Sequence, residues 1–85
     1  MAEKPVGKVT HYFTNIGVAV IELEDELRVG DVIHIKGHTS DFEEKVASIQ
    51  IEHQSVEKAD VGQAVGLKVS QHVREHDAVY KVIEE

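Results

Sequence analysis

Cysteine is absent from this 85-residue chain, so disulfides, zinc–thiolate sites and thiol nucleophiles are excluded. No apolar run approaches the ~20 residues that a membrane helix needs. The opening Met1-Ala2-Glu3-Lys4-Pro5 lacks the apolar stretch of a signal peptide, so the expected setting is cytoplasmic. Basic charge is scarce and dispersed. Nine Lys and Arg stand against sixteen Asp and Glu, a net charge of −7, and no two basic residues are adjacent. Phosphate neutralisation supplies much of nucleic-acid affinity, so this balance excludes DNA as a partner and disfavours RNA or tRNA. No G-x-x-x-x-G-K-[ST] phosphate loop occurs, nor a nucleophile elbow. The neighbours His38, Ser40 and Asp41 do not make a triad by adjacency alone.

Leucine is also scarce, with 3 residues against 14 valines and 7 isoleucines. β-branched side chains lose rotamer freedom in helices and pack well on a pleated surface. The bias predicts an all-β chain. No helical pattern long enough for a βαβ unit, no internal repeat and no linker interrupts it. One small domain is expected at residues 6–83, with a flexible N-terminus at 1–5 and an acidic tail at 84–85.

The period-2 signal places the strands. In the first, Val9, His11 and Phe13 are expected on one face. The turn Thr14-Asn15-Ile16-Gly17 follows. Val18–Leu23 sorts into Ala19, Ile21 and Leu23 against Val18 and Val20. Arg28-Val29-Gly30-Asp31 fits a type II turn, with Gly30 where φ must be positive. Ile33 and Ile35 then point inward, His34 and Lys36 outward. Phe42–Glu52 reads as one long strand whose broken phase implies a β-bulge near Ala47-Ser48. Residues 54–61 suit one helical turn, ended by Gly62. Val65, Leu67 and Val69 alternate next, with Gly66 marking close backbone approach. Residues 78–83 close the chain. The count is six to seven short strands with regular turns, the pattern of a small closed antiparallel barrel.

An ordered set of motifs then carries a resemblance. Gly7-Lys8-Val9, Gly17-Val18-Ala19, Leu27-x-Val29-Gly30-Asp31-x-Ile33-x-Ile35-x-Gly37, Val46-x-Ser48-Ile49, Ala59-x-x-Gly62-x-x-Val65-Gly66-Leu67 and Asp77-x-Val79-Tyr80-x-Val82 follow one another. This order resembles domain II of translational GTPases, the elongation factor Tu family, over nearly the whole chain. The resemblance implies a closed β-barrel of that type standing without its GTPase domain. It implies a non-catalytic binding module acting in translation or tRNA handling. The alternative is a protein-protein adaptor or a self-associating barrel.

In the family, the strand matching Ile49-Gln50-Ile51 and the loop after it lie near the aminoacylated end of tRNA. There the family pattern has an aromatic followed by basic residues, where this chain has Glu52-His53-Gln54. The expected partner-binding residues are therefore Glu52, His53 and Gln54 with His38 and Phe42, and the expected partner is a protein. No cofactor is expected.

His72 and His76 have i, i+4 spacing. On a helix both imidazoles would share one face and could clamp a metal; in a loop they are simply exposed. The acidic stretch Glu22, Glu24, Asp25 and Glu26 lacks the ligand spacing of a calcium loop. No metal is assigned, and the chain is not read as an enzyme.

Overall fold

A computed structural model describes residues 2–37, 41–52 and 54–83. Ten strands follow in order: β1 (Ala2–Phe13), β2 (Val18–Leu23), β3 (Leu27–Arg28), β4 (Val32–Lys36), β5 (Asp41–Lys45), β6 (Ile49–Ile51), β7 (Gln54–Val56), β8 (Lys58–Ala59), β9 (Ala64–Lys68) and β10 (Ala78–Ile83). No helix occurs among the described residues, so none is long and apolar enough to cross a membrane. The all-β expectation holds, as the valine and isoleucine excess requires.

The strands form one eight-stranded antiparallel sheet, ordered β5-β4-β10-β1-β2-β9-β6-β7, and a separate pair, β3-β8. The edge strands β5 and β7 are not hydrogen-bonded to each other, so the sheet is curled without being a closed barrel. Side chains and turns bridge the opening instead. The Glu44 carboxylate on β5 accepts the Ser70 N–H, just beyond β9, at 2.9 and 3.0 Å. Val29 N–H, just after β3, donates to the Glu57 carbonyl, between β7 and β8, at 2.9 Å. The chain is nonetheless compact, with a radius of gyration of 11.4 Å.

The core follows the alternation. Ala19, Ile21, Leu23, Ile33, Ile35, Val65, Leu67 and Val69 are all buried, together with Val6, Val9, Ile49 and Val79. The short β3-β8 pair adds Leu27 and Ala59. Gly30 has φ 98° and Asp31 N–H donates to the Arg28 carbonyl at 3.1 Å, so the expected tight turn is there.

Beyond the closed barrel and the count of six to seven strands, which give way to an open sheet and ten strands among the described residues, four expectations change. First, the register of β1 against β2 slips between Val9 and His11. The extra residue, Thr10, reverses the phase. Tyr12 therefore packs on the core, while His11 and Phe13 face out. Second, Phe42–Glu52 is two strands, not one bulged strand. β5 is an edge strand and β6 lies near the opposite edge, so the phase break marks a crossing between sheet positions. Third, residues 54–61 hold β7 and β8 in place of a helical turn. Fourth, β1 takes in residues 2–5, pairing Ala2 with Ile83 and Glu3 with Val82, and Lys4 Nζ lies 2.6 Å from Asp25 Oδ2.

Candidate functional site

Inward positions are taken by the core, so chemistry is left to the outer positions of the same strands. Two outer regions stand out. The first lies over β2, β9 and β6. Val18 and Val20 occupy outward positions on β2, half-buried, where a solvated strand would carry polar residues. Exposed Phe13 and Ile16 continue the apolar surface around the β1–β2 turn, with 46% and 61% of their area accessible. Gly66 on β9 faces Val20 in register. A Cβ there would come within 3.2 Å of Val18 Cγ1, so glycine keeps the floor open. The result is a shallow groove of about 240 Å³, with Gln50 and Glu52 among its lining residues.

The second region lies over β1, β10, β4 and β5, and it is charged. His34 on β4 stands opposite Glu43 on β5. Its Nδ1 lies 2.6 Å from Glu3 Oε2, and its Nε2 is hydrogen-bonded to Asp41 Oδ1. Lys36 Nζ is 3.5 Å from the other Glu3 oxygen and 5.5 Å from the centre of the Tyr80 ring. A ring that donates from both nitrogens is an imidazolium. The hydrogen bond to Asp41, then that to Glu3, raises His34 above its usual range. The hydrogen bond to His34 holds Glu3 and Asp41 below the usual carboxylate range.

The residues expected to bind a partner scatter. Glu52 sits at φ 51° in the turn between β6 and β7 and lines the apolar groove. Gln54 begins β7, exposed, paired with Ile51. Phe42, expected on a partner face, is a core residue paired with Ile35, because its phase in β5 turns it inward. His38 and His53 lie outside the described residues. The segment carrying His72 and His76 is not helical, so their spacing does not put them on one helical face. The His72 ring meets Tyr12 edge-on at 4.7 Å, and His76, at φ 73°, lines a separate cavity with Lys8, Thr10 and Glu22.

Sequence reasoning passed over Glu3, because residues 1–5 were set apart from the fold. It placed His34 outward without a role. The signal that could have found the groove was Val18 and Val20, apolar on the outer face of a strand whose inner face was already filled.

Comparison with known proteins gives the chain a different kinship from the one its motifs suggested. No family model matches it. Over 76 residues it is 45% identical to an uncharacterised protease of Methanocaldococcus jannaschii, covering 88% of this chain and 19% of that protein. Over 78 residues it is 44% identical to a collagenase of Porphyromonas gingivalis, covering 89% of this chain and 22% of the collagenase. The chain thus spans about a fifth of the length of the curated relatives it matches. Its fold is that of the C-terminal domain of a Geobacillus thermoleovorans protein described as a U32 peptidase. That likeness has a TM-score of 0.88, 22% identity and coverage of 94% and 93% of the two chains. A selenomethionine variant of the same domain superposes with a TM-score of 0.85.

These matches overturn the resemblance to domain II of translational GTPases and the role in translation or tRNA handling drawn from it. The motifs behind it are turn glycines and alternating valines and isoleucines. Any small curled β-sheet needs such residues, so their order followed strand-and-turn physics and not descent.

Proposed function

We propose that this chain is a non-catalytic accessory domain of the kind that accompanies U32 peptidases and collagenases, and that it binds protein. Its apolar groove over β2, β9 and β6 is the docking surface, and the occupant is the peptidase body of such a protein. The observation that carries this reading is identity of 44–45% across nearly all of the chain to one fifth of much longer proteases. An exposed apolar surface is what would let such a segment pack on the other four fifths of those proteins. The groove offers one, with Phe13 and Ile16 too exposed to serve the core. Absence of a catalytic role is part of the proposal, and so is a cytoplasmic setting.

The test mixes the chain with the Methanocaldococcus protease or the Porphyromonas collagenase, each shortened by its matching segment. Calorimetry should detect binding in the micromolar range, about −8 kcal/mol, and Val20→Lys should weaken it. The chain alone should leave collagen peptides uncut. No binding by either partner would remove the docking proposal. Cleavage by the isolated chain would make it an enzyme.

A further inference from the structure

We propose that Glu3, His34 and Glu43 form a binding site for one divalent transition cation, with zinc as the probe. The residues come from three strands, β1, β4 and β5. Each offers one donor atom, and these atoms all lie within 4.8 Å of one another. Zinc holds imidazole nitrogen and carboxylate oxygen at about 2.0–2.2 Å in a tetrahedral array, which sets the donors roughly 3.4 Å apart. The Glu3 Oε2–His34 Nδ1 pair, now 2.6 Å apart, must open and any wider pair must close, a change that staggered rotamers of the two exposed glutamates can supply.

The imidazole is already aimed. Asp41 holds Nε2, so the ion would displace the Nδ1 proton, which now lies against Glu3, and take its place. A carboxylate on the far nitrogen is the arrangement that orients metal-bound histidines and raises their basicity. The side chains of His34 and Glu3 are 14% and 32% exposed, so a cation and a completing water can enter. One nitrogen and two carboxylates without thiolate suit zinc or manganese and disfavour copper(I). The net charge of −7 also favours cations near the surface. Lys36 opposes the ion. Its Nζ lies 3.5 Å from Glu3 Oε1, and its side chain, half exposed, must yield that oxygen.

Titration of zinc chloride into the chain at about pH 7.5, after removal of metals with EDTA, tests the site, because ligand protonation competes with metal at lower pH. One equivalent should bind. His34→Gln and Glu3→Gln should each lose about tenfold or more in affinity, while Lys36→Gln should bind more tightly. The double variant His72→Gln with His76→Gln should bind like the parent. No saturable binding below roughly 1 mM would overturn the proposal, as would binding retained by His34→Gln or lost in the His72 and His76 variant. If His34→Gln does not fold by circular dichroism, Glu3→Gln and Lys36→Gln decide: unchanged affinity in both overturns the site.

Discussion

The outer surface over β2, β9 and β6 is apolar, and the outer surface over β1, β10, β4 and β5 is ionic. Val18, Val20 and Gly66 floor the first, with Phe13 and Ile16 at its end. Glu3, His34, Lys36, Asp41 and Glu43 make up the second. Both belong to a single sheet whose inward residues build one core. The strands share their inner chemistry and differ only outside. Stability therefore resides in the inward set, and the outward positions are free to diverge into an apolar groove and a histidine–carboxylate cluster.

This separation can be broken most forcefully from within. Ile21 and Val20 are neighbours on β2, one fully buried and one lining the groove. Ile21→Ala should destabilise by about 2–5 kcal/mol, since a buried side chain leaves a cavity. Val20→Thr should cost less than about 1 kcal/mol on the outer face. Urea unfolding of the pair measures the contrast, and equal costs would mean that inner and outer faces are not energetically distinct.

Next in size is the Gly30 turn that leads into β4. A Cβ at Gly30 would meet nothing within 4 Å, but its φ of 98° is closed to β-branched residues. Gly30→Val should cost about 1 kcal/mol or more through backbone strain alone. An unchanged melting temperature would remove the turn from the account of stability.

Val20→Lys sharpens the comparison through function. It should weaken docking to a shortened relative by about tenfold, or 1.4 kcal/mol, while leaving the unfolding midpoint near that of the parent. A large loss of stability with unchanged docking would reverse the assignment of the groove.

The smallest effect is expected on the ionic face, and it depends on pH. In the metal-free chain with EDTA present, His34 titrates above its ordinary 6.5 because Asp41 and Glu3 favour its charged form. Its contribution to stability is full below 6.5 and fades as pH rises through the folded value. Glu3 and Asp41 titrate below their ordinary 4.5 and 3.8, so their contribution is present above those values and fades as pH falls through the folded ones. The cluster should therefore help most between pH 4.5 and 6.5. His34→Gln should flatten the alkaline limb of the stability profile, whereas Val20→Thr should leave it in place. The gain is small because such groups sit near solvent, where screening weakens ion pairs.

Much of the inner face could be read from residue order. The alternation at Ala19-Ile21-Leu23, Ile33-Ile35 and Val65-Leu67-Val69 follows from the two-residue period of a strand facing one core. The positive φ of Gly30 follows from turn chemistry. The misreadings have one cause in common. Thr10 reverses the phase of β1, and the crossing after Lys45 sends one apparent strand to two places, because pairing partners decide where a period is broken. The same cause hid both outer regions. Glu43 stands opposite His34 in adjacent strands β4 and β5, but Glu3 lies 31 residues from His34 and reaches it because β10 alone separates β1 from β4. Glu52, expected among the partner-binding residues, lines the groove, although the resemblance that pointed to it is overturned by the relatives.

Local composition and order were enough to dictate an all-β chain, its tight turns and most of its buried residues, because β-branching, strand period and glycine φ act over a few residues. Strand order, the open edges, the groove and the His34 cluster were settled only when the chain folded. Each depends on which distant strands become neighbours, and that follows from burying all the inward side chains at once.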